Sequence, residues 1–205
     1  MISFFGNSLI FLSIVITITI IYFSFQEVKN LSLIYPNKIR TFVLSQVTLV
    51  LMSFFTLMSA YIVSDFSLIN VYQNSHSSKP LFYKISGVWG NHEGSLLLWI
   101  NILVLFSFIF YVLNYKHQKN FKLYTLIAQN FLILGFLIFL FLTSNPFSLI
   151  YPTPMDGLGL NPVLQDPALA IHPPLLYVGF VGSSIFFSVA LASLLSGVKG
   201  EEFAK

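Results

Sequence analysis

His172 stands in a setting suited to chemistry. It lies in Asn161-Pro-Val-Leu-Gln-Asp-Pro-Ala-Leu-Ala-Ile-His-Pro-Pro-Leu-Leu-Tyr177, framed by Pro173 and Pro174 at the mouth of the apolar run from Leu175 to Leu195. Proline bars the preceding residue from helical geometry, so His172 is expected to be extended and to point away from the helix that follows. Pro173 and Pro174 suit a first helical turn, where missing N–H groups cost little. An imidazole at the positive end of a helix resists protonation and keeps a lone pair for a metal or a proton. That is the setting of an axial haem ligand. The plainer alternative is a histidine that only caps a helix at a membrane surface, and on these residues alone it is the commoner of the two.

A second segment, Val88-Trp-Gly-Asn-His-Glu-Gly-Ser-Leu-Leu-Leu-Trp99, leads into another apolar run. Trp89 occupies the place of an interfacial aromatic anchor. Asn91 can cap the helix, and Glu93 in its first turn suits the dipole. These roles leave His92, and the two glycines Gly90 and Gly94, without an explanation. Glycine permits close approach by another backbone or a flat ligand. The other two histidines are plainer: His76 sits in a polar stretch and is expected to meet solvent, and His117 lies among inner-side lysines as a loop residue. With no cysteine, the chain holds no disulfide, no redox CxxC and no CxxCH of its own for covalent haem. Neither a Ser/His/Asp arrangement nor a glycine-rich phosphate loop is present.

The elements that position these residues follow from composition. Apolar residues make up 56% of 205, charged residues 8%, and the mean hydropathy is +0.83, far from the globular range. Five uncharged stretches reach the roughly 20 residues a helix needs to cross a bilayer. They are 3–25, 41–64, 94–115, 123–143 and 174–196. Within hydrocarbon a backbone must satisfy its own hydrogen bonds, so these runs are expected to be helices in one all-α polytopic bundle. The first lacks a basic leader region and a small-residue cleavage site, and is read as a permanent span.

Lys and Arg set the expected direction. Eight basic residues (Lys29, Lys38, Arg40, Lys116, Lys119, Lys122, Lys199 and Lys205) fall on one side, against Lys79 and Lys84 on the other. By the positive-inside rule the N-terminus is outside, with outer loops 65–93 and 144–173, and His172 faces the periplasm or the intermembrane space. A net charge of +3, dispersed in this way, gives no footing for nucleic acid. Seven of the nine prolines lie between Pro146 and Pro174, which predicts a stiff outer loop of short turns with a brief interfacial helix around Leu164, Ala168 and Ile171.

Within the spans, Asn101, Gln129 and Asn130 are expected to bond between helices, and the small residues Ser184, Ser188, Ala192 and Ser196 to let helices approach. The spans carry no ionisable group well inside, which counts against an ion-coupled transporter or proton pump.

At its two motifs the chain resembles the CcmF family, cytochrome c-type biogenesis proteins that act in haem attachment. Tyr83 to Trp99 is similar to that family's outer-loop signature, and Asn161 to Tyr177 to the segment with its first periplasmic haem-ligand histidine. The resemblance implies that His172 is an axial ligand to haem b, positioned by Pro173 and Pro174, with Trp89, His92 and Glu93 in the outer-loop signature. It further implies a haem lyase that takes haem from a carrier protein and joins its vinyl groups to the CxxCH thiols of apocytochrome c. Other maturation subunits would assist, at a bacterial or mitochondrial inner membrane. The family's tryptophan-rich segment, its second external histidine and its intramembrane histidines have no counterpart here. The expectation is therefore a fragment, or one half of a split protein that a complementary half completes, inactive alone. Two alternatives stand beside it: a scaffold of the same assembly that binds no haem, and an unrelated polytopic transporter.

Overall fold

The computed structural model describes residues 1–29, 36–113 and 118–198. They form eight α-helices: α1 (Ile2–Val28), α2 (Pro36–Val63), α3 (Ile69–Asn74), α4 (Leu81–Gly87), α5 (His92–Leu113), α6 (Lys119–Leu142), α7 (Pro167–Gly182) and α8 (Ser184–Ser196). A 3-10 turn, Pro162–Gln165, precedes α7. Counting α7 and α8 as one, five helical stretches are long and apolar enough to cross a membrane. The protein is an all-α, multi-pass membrane protein, as its apolar runs require.

The bundle is built around α6, which packs on α1, α5 and α8, while α2 lies between α1 and α5. Leu57, Leu97, Ile100, Ile133 and Phe147 are buried in one cluster, and Ile20, Ile39, Val43 and Leu126 in a second. Hydrophobicity cannot select neighbours in lipid, so polar bonds and close packing do. Gln46 Nε2 donates to Thr17 Oγ1 at 2.7 Å and to Asn130 Oδ1 at 2.8 Å, joining α1, α2 and α6. Gln129 Nε2 donates to Ser184 Oγ at 2.9 Å, and Ser188 Oγ to Gln129 Oε1 at 2.7 Å, which fixes α8 on α6. Gln129 and Asn130 thus bond between helices as expected. Asn101 does not: its amide donates within α5, to the Leu97 carbonyl at 2.8 Å.

One end of the bundle carries the long connections. Ser3 Oγ donates to the Phe147 carbonyl at 2.7 Å, and Asn145 Nδ2 to Asn7 Oδ1 at 2.6 Å, so the start of α1 and the 143–166 connection share a face. The two connections also pair with each other. Ile69 N–H donates to the Ser148 carbonyl at 3.0 Å and Ile150 N–H to that of Ser67 at 2.9 Å, around an antiparallel bridge of Leu68 with Leu149. At the opposite end the buried Glu27 pairs with Lys119. His117, Lys116, Lys199 and Lys205 lie outside the described residues.

The last apolar run departs from its expected form. Helix α7 begins at Pro167, not Pro174, because Asp166 is a strong cap: its Oδ1 accepts from the N–H groups of Ala168 and Leu169 at 2.8 and 3.1 Å. Pro167 takes the first helical position. His172 is therefore helical, the sixth residue of α7, and not an extended residue ahead of a helix. The field of a helix end is confined to its first turn, so the argument from the helix's positive end does not reach His172. The expected interfacial helix around Leu164, Ala168 and Ile171 is in fact the 3-10 turn and the opening of α7. The run also breaks at Ser183, whose Oγ donates to the Phe180 carbonyl at 2.6 Å. Such back-bonding hydroxyls bend helices.

Candidate functional site

The segment between α4 and α5 is a compact hydrogen-bonded junction. Asn91 Oδ1 accepts from Gly94 N–H at 2.8 Å, the expected cap of α5. Its amide nitrogen donates to the Gly87 carbonyl at 2.8 Å and to Tyr61 Oη at 2.9 Å. Tyr61 Oη in turn donates to Asn70 Oδ1 at 2.6 Å, and Asn70 Nδ2 donates to Asn91 Oδ1 and Glu93 Oε2 at 2.7 and 3.0 Å. Glu93 is thus tied to α3 through Asn70. The glycines serve backbone approach: a Cβ on Gly94 would lie 1.7 Å from the Val88 carbonyl oxygen. One on Gly90 would meet Leu160 and Leu164 of the proline-rich connection at 3.1 and 3.4 Å. His92, exposed at the first position of α5, shares a hydrogen bond between Nε2 and Ser144 Oγ at 3.1 Å. Chain packing accounts for both glycines without a flat ligand.

Trp89 joins this junction to α7. Its ring stacks on Phe54, with centroids 6.4 Å apart and planes 15° apart. Its Nε1 donates to the Ala170 carbonyl at 2.7 Å. In an unbroken α-helix that carbonyl would accept from residue 174, but Pro174 has no N–H. A tryptophan from the first motif thus takes the carbonyl that a proline of the second leaves free. Further along α7, Trp99 of α5 packs edge-on against Tyr177 and Phe180, with centroids 5.5 and 5.7 Å away.

His172 itself points elsewhere. It is exposed, on a helical face shared with Leu169, Leu175, Leu176 and Gly179, while Ala170 and Val181 are buried on the opposite side. Among the described residues no group hydrogen-bonds its imidazole, and no three His, Asp or Glu side chains gather as a metal site. Two apolar surface grooves lie away from it. One, of about 440 Å³, is lined by Phe131, Leu132, Gly135, Phe136 and Phe139. The other, of about 760 Å³, lies between the start of α1 and Thr56 and Ser59 of α2. Among the described residues, His172 therefore offers a free imidazole on an apolar wall, and neither of these grooves includes it.

The 64–91 and 143–166 connections also contain a clamp that the sequence did not signal. Asp156 accepts from Ser77 N–H at 2.9 Å and from Ser77 Oγ at 2.5 Å, and lies 3.4 Å from His76 Nε2. These hydrogen bonds from Ser77 hold the Asp156 carboxyl down at about 2. His76 is thus not merely solvated. Nearby, burial pushes the Lys79 ammonium down to about 8, with the Lys84 charge adding to the effect.

Comparison with known proteins identifies the setting of these features. The family model described as cytochrome C assembly protein matches residues 89–202, which include Trp89, His92, Glu93 and His172. The cytochrome c-type biogenesis protein CycK of Rhizobium meliloti is 54% identical over 149 residues, 73% of this chain and 22% of that protein. The Escherichia coli cytochrome c-type biogenesis protein CcmF is 41% identical over 154 residues, 75% of this chain and 24% of its own length. A solved structure, cytochrome c heme lyase CcmF, has the same fold with a TM-score of 0.81 at 22% identity, covering 96% of this chain and 31% of that one. The chain spans about a quarter of the length of the curated relatives it matches.

Proposed function

Because the chain belongs to the cytochrome c assembly protein family, as a CcmF-type member, we propose that it is a haem-handling part of cytochrome c maturation. In this reading His172 is one axial ligand to haem b, presented on the outer face of a bacterial or mitochondrial inner membrane. Haem is the substrate, delivered by a carrier protein and joined to the CxxCH motif of apocytochrome c. The observation that carries the proposal is the free imidazole of His172 on the outward, apolar face of α7. A neutral imidazole fixes iron, and an apolar wall suits one face of a porphyrin.

The residues present fit half of such a site. Among the described residues they supply one ligand and one wall but no second ligand beside it, so the remainder comes from the rest of a CcmF-type protein, in the same chain or as a complementary half. Pro173 and Pro174 act on the helix that presents His172, and Trp89, Glu93 and His92 act through packing, not by touching haem. The functional loops face outward under the positive-inside rule.

The lack of a second ligand beside His172 among the described residues favours a second reading, a scaffold of the assembly that binds partner subunits and no haem. Covalent haem staining of cytochrome c in cells carrying His172→Ala separates the two. The ligand reading predicts loss of staining with membrane levels of the chain unchanged. Normal staining would leave the scaffold.

A further inference from the structure

The bond between Trp89 and Ala170 has a consequence for the site. Two consecutive prolines remove two helical donors from α7, and the turn that carries His172 is where the deficit falls. The carbonyl freed by Pro173 belongs to Leu169, an exposed residue, whereas the one freed by Pro174 belongs to Ala170, which is buried. A buried carbonyl without a partner is costly, so the helix is stable in this form only while a donor from elsewhere meets it. Trp89 is that donor. Its ring is fixed by the stack on Phe54, and its own segment is held by Asn91 and Gly94. The opening of α7 is thus hydrogen-bonded to the 88–94 junction through the Ala170 carbonyl, two residues before the imidazole.

We propose that Trp89 is the positioning residue for His172: its indole N–H holds the Ala170 carbonyl that Pro174 leaves free, and so fixes the turn from which the imidazole projects. Its functional consequence rests on the reading of His172 as a haem ligand, but its structural content does not. Pro173 and Pro174 then have a specific use, since they turn an ordinary helical carbonyl into an attachment point for another part of the fold.

A double-mutant cycle tests this. Trp89→Phe keeps the ring and removes the donor, and Pro174→Ala restores the helical N–H that makes the donor redundant. Amide hydrogen exchange at Ile171 and His172 in detergent should quicken about tenfold in Trp89→Phe. In the Pro174→Ala background the same substitution should change it by less than about threefold. Phe54→Leu loosens the stack that holds the donor in place, so Pro174→Ala should also reduce its effect on exchange. Exchange unmoved by Trp89→Phe, or quickened equally in both backgrounds, overturns the proposal.

A haem titration followed by the Soret band, with the C-terminal portion of a CcmF-type protein supplied, reads the consequence. Affinity should fall about tenfold in Trp89→Phe and recover with Pro174→Ala, as expected for groups that orient a metal ligand. If His172→Ala removes haem while Trp89→Phe leaves its affinity intact, Trp89 does not position the ligand. If exchange follows the cycle but His172→Ala leaves haem binding unchanged, the local positioning stands and the ligand reading falls.

Discussion

The two motif regions are opposites. Around residues 88–94 the chemistry-bearing side chains are turned inward and partnered: Asn91 caps α5, Glu93 meets Asn70, and Trp89 reaches Ala170. Around His172 the imidazole is turned outward and unpartnered, on the least covered of the five spans, with 22% of its most apolar window buried against 33–50% in the others. Both contain a histidine in the opening turns of a helix, so residue type alone does not separate them. The partners do. One region is internal architecture, and the other is an exposed face.

Four substitutions can break or sharpen that contrast. Gly94→Ala should have the largest effect, because its Cβ would overlap the Val88 carbonyl oxygen at 1.7 Å. A loss of about 3 kcal/mol or more is expected, read as failure to accumulate in the membrane. A well-folded Gly94→Ala protein would show that the junction is looser than its geometry implies. Asn91→Ala comes next, at about 2 kcal/mol, since it removes a helix cap and leaves Tyr61 and Asn70 short of a partner. Denaturant unfolding in micelles measures it, and a change below about 0.5 kcal/mol would remove Asn91 from the junction's core.

His92→Ala is expected to be milder, about 1 kcal/mol, for the loss of one bond to Ser144. It should also impair cytochrome c maturation less than His172→Ala. A larger maturation defect from His92→Ala in a stable protein would reverse the roles assigned to the two histidines.

The smallest effect is at the clamp between the two long connections, where Ser77 meets Asp156. Asp156 has a folded-state value of about 2, below its ordinary 3.8. A depressed carboxyl contributes stability that is present above its unfolded value and lost as pH falls through the folded one. Exchange at the Ser77 amide should therefore quicken as pH is lowered from about 4 to 2, after correction for the intrinsic pH dependence. Asp156→Asn should be loose throughout and lose this acid limb. Persistence of the limb in Asp156→Asn would place the titration elsewhere.

Much of this was legible in the residues. The apolar runs identify a five-span helical bundle because lipid leaves the backbone no other economy. Gln129 and Asn130 announce interhelical bonds because amides in hydrocarbon need partners. At the start of α7 two helix-start signals compete within nine residues: Asp166-Pro167, which has a capping side chain, and His172-Pro173-Pro174, which has none. The capped one prevails, and the prolines it leaves inside the helix are tolerated because Trp89, 81 positions away in sequence, supplies a donor. No local pattern could reveal that bond, nor the meeting of His76 with Asp156. The break at Ser183 is marked only by a hydroxyl that bonds back to Phe180, a feature shared by many unbroken helices.

In the proposed reading His172 is one ligand of a haem site completed by the rest of a CcmF-type protein. The most direct measurement is the haem difference spectrum of this chain, alone and together with the C-terminal portion of a CcmF-type protein, with His172 or His172→Ala. The account predicts a Soret band that appears with the completed pair and is lost or shifted by the substitution. A spectrum of the pair that is indifferent to His172→Ala would contradict it.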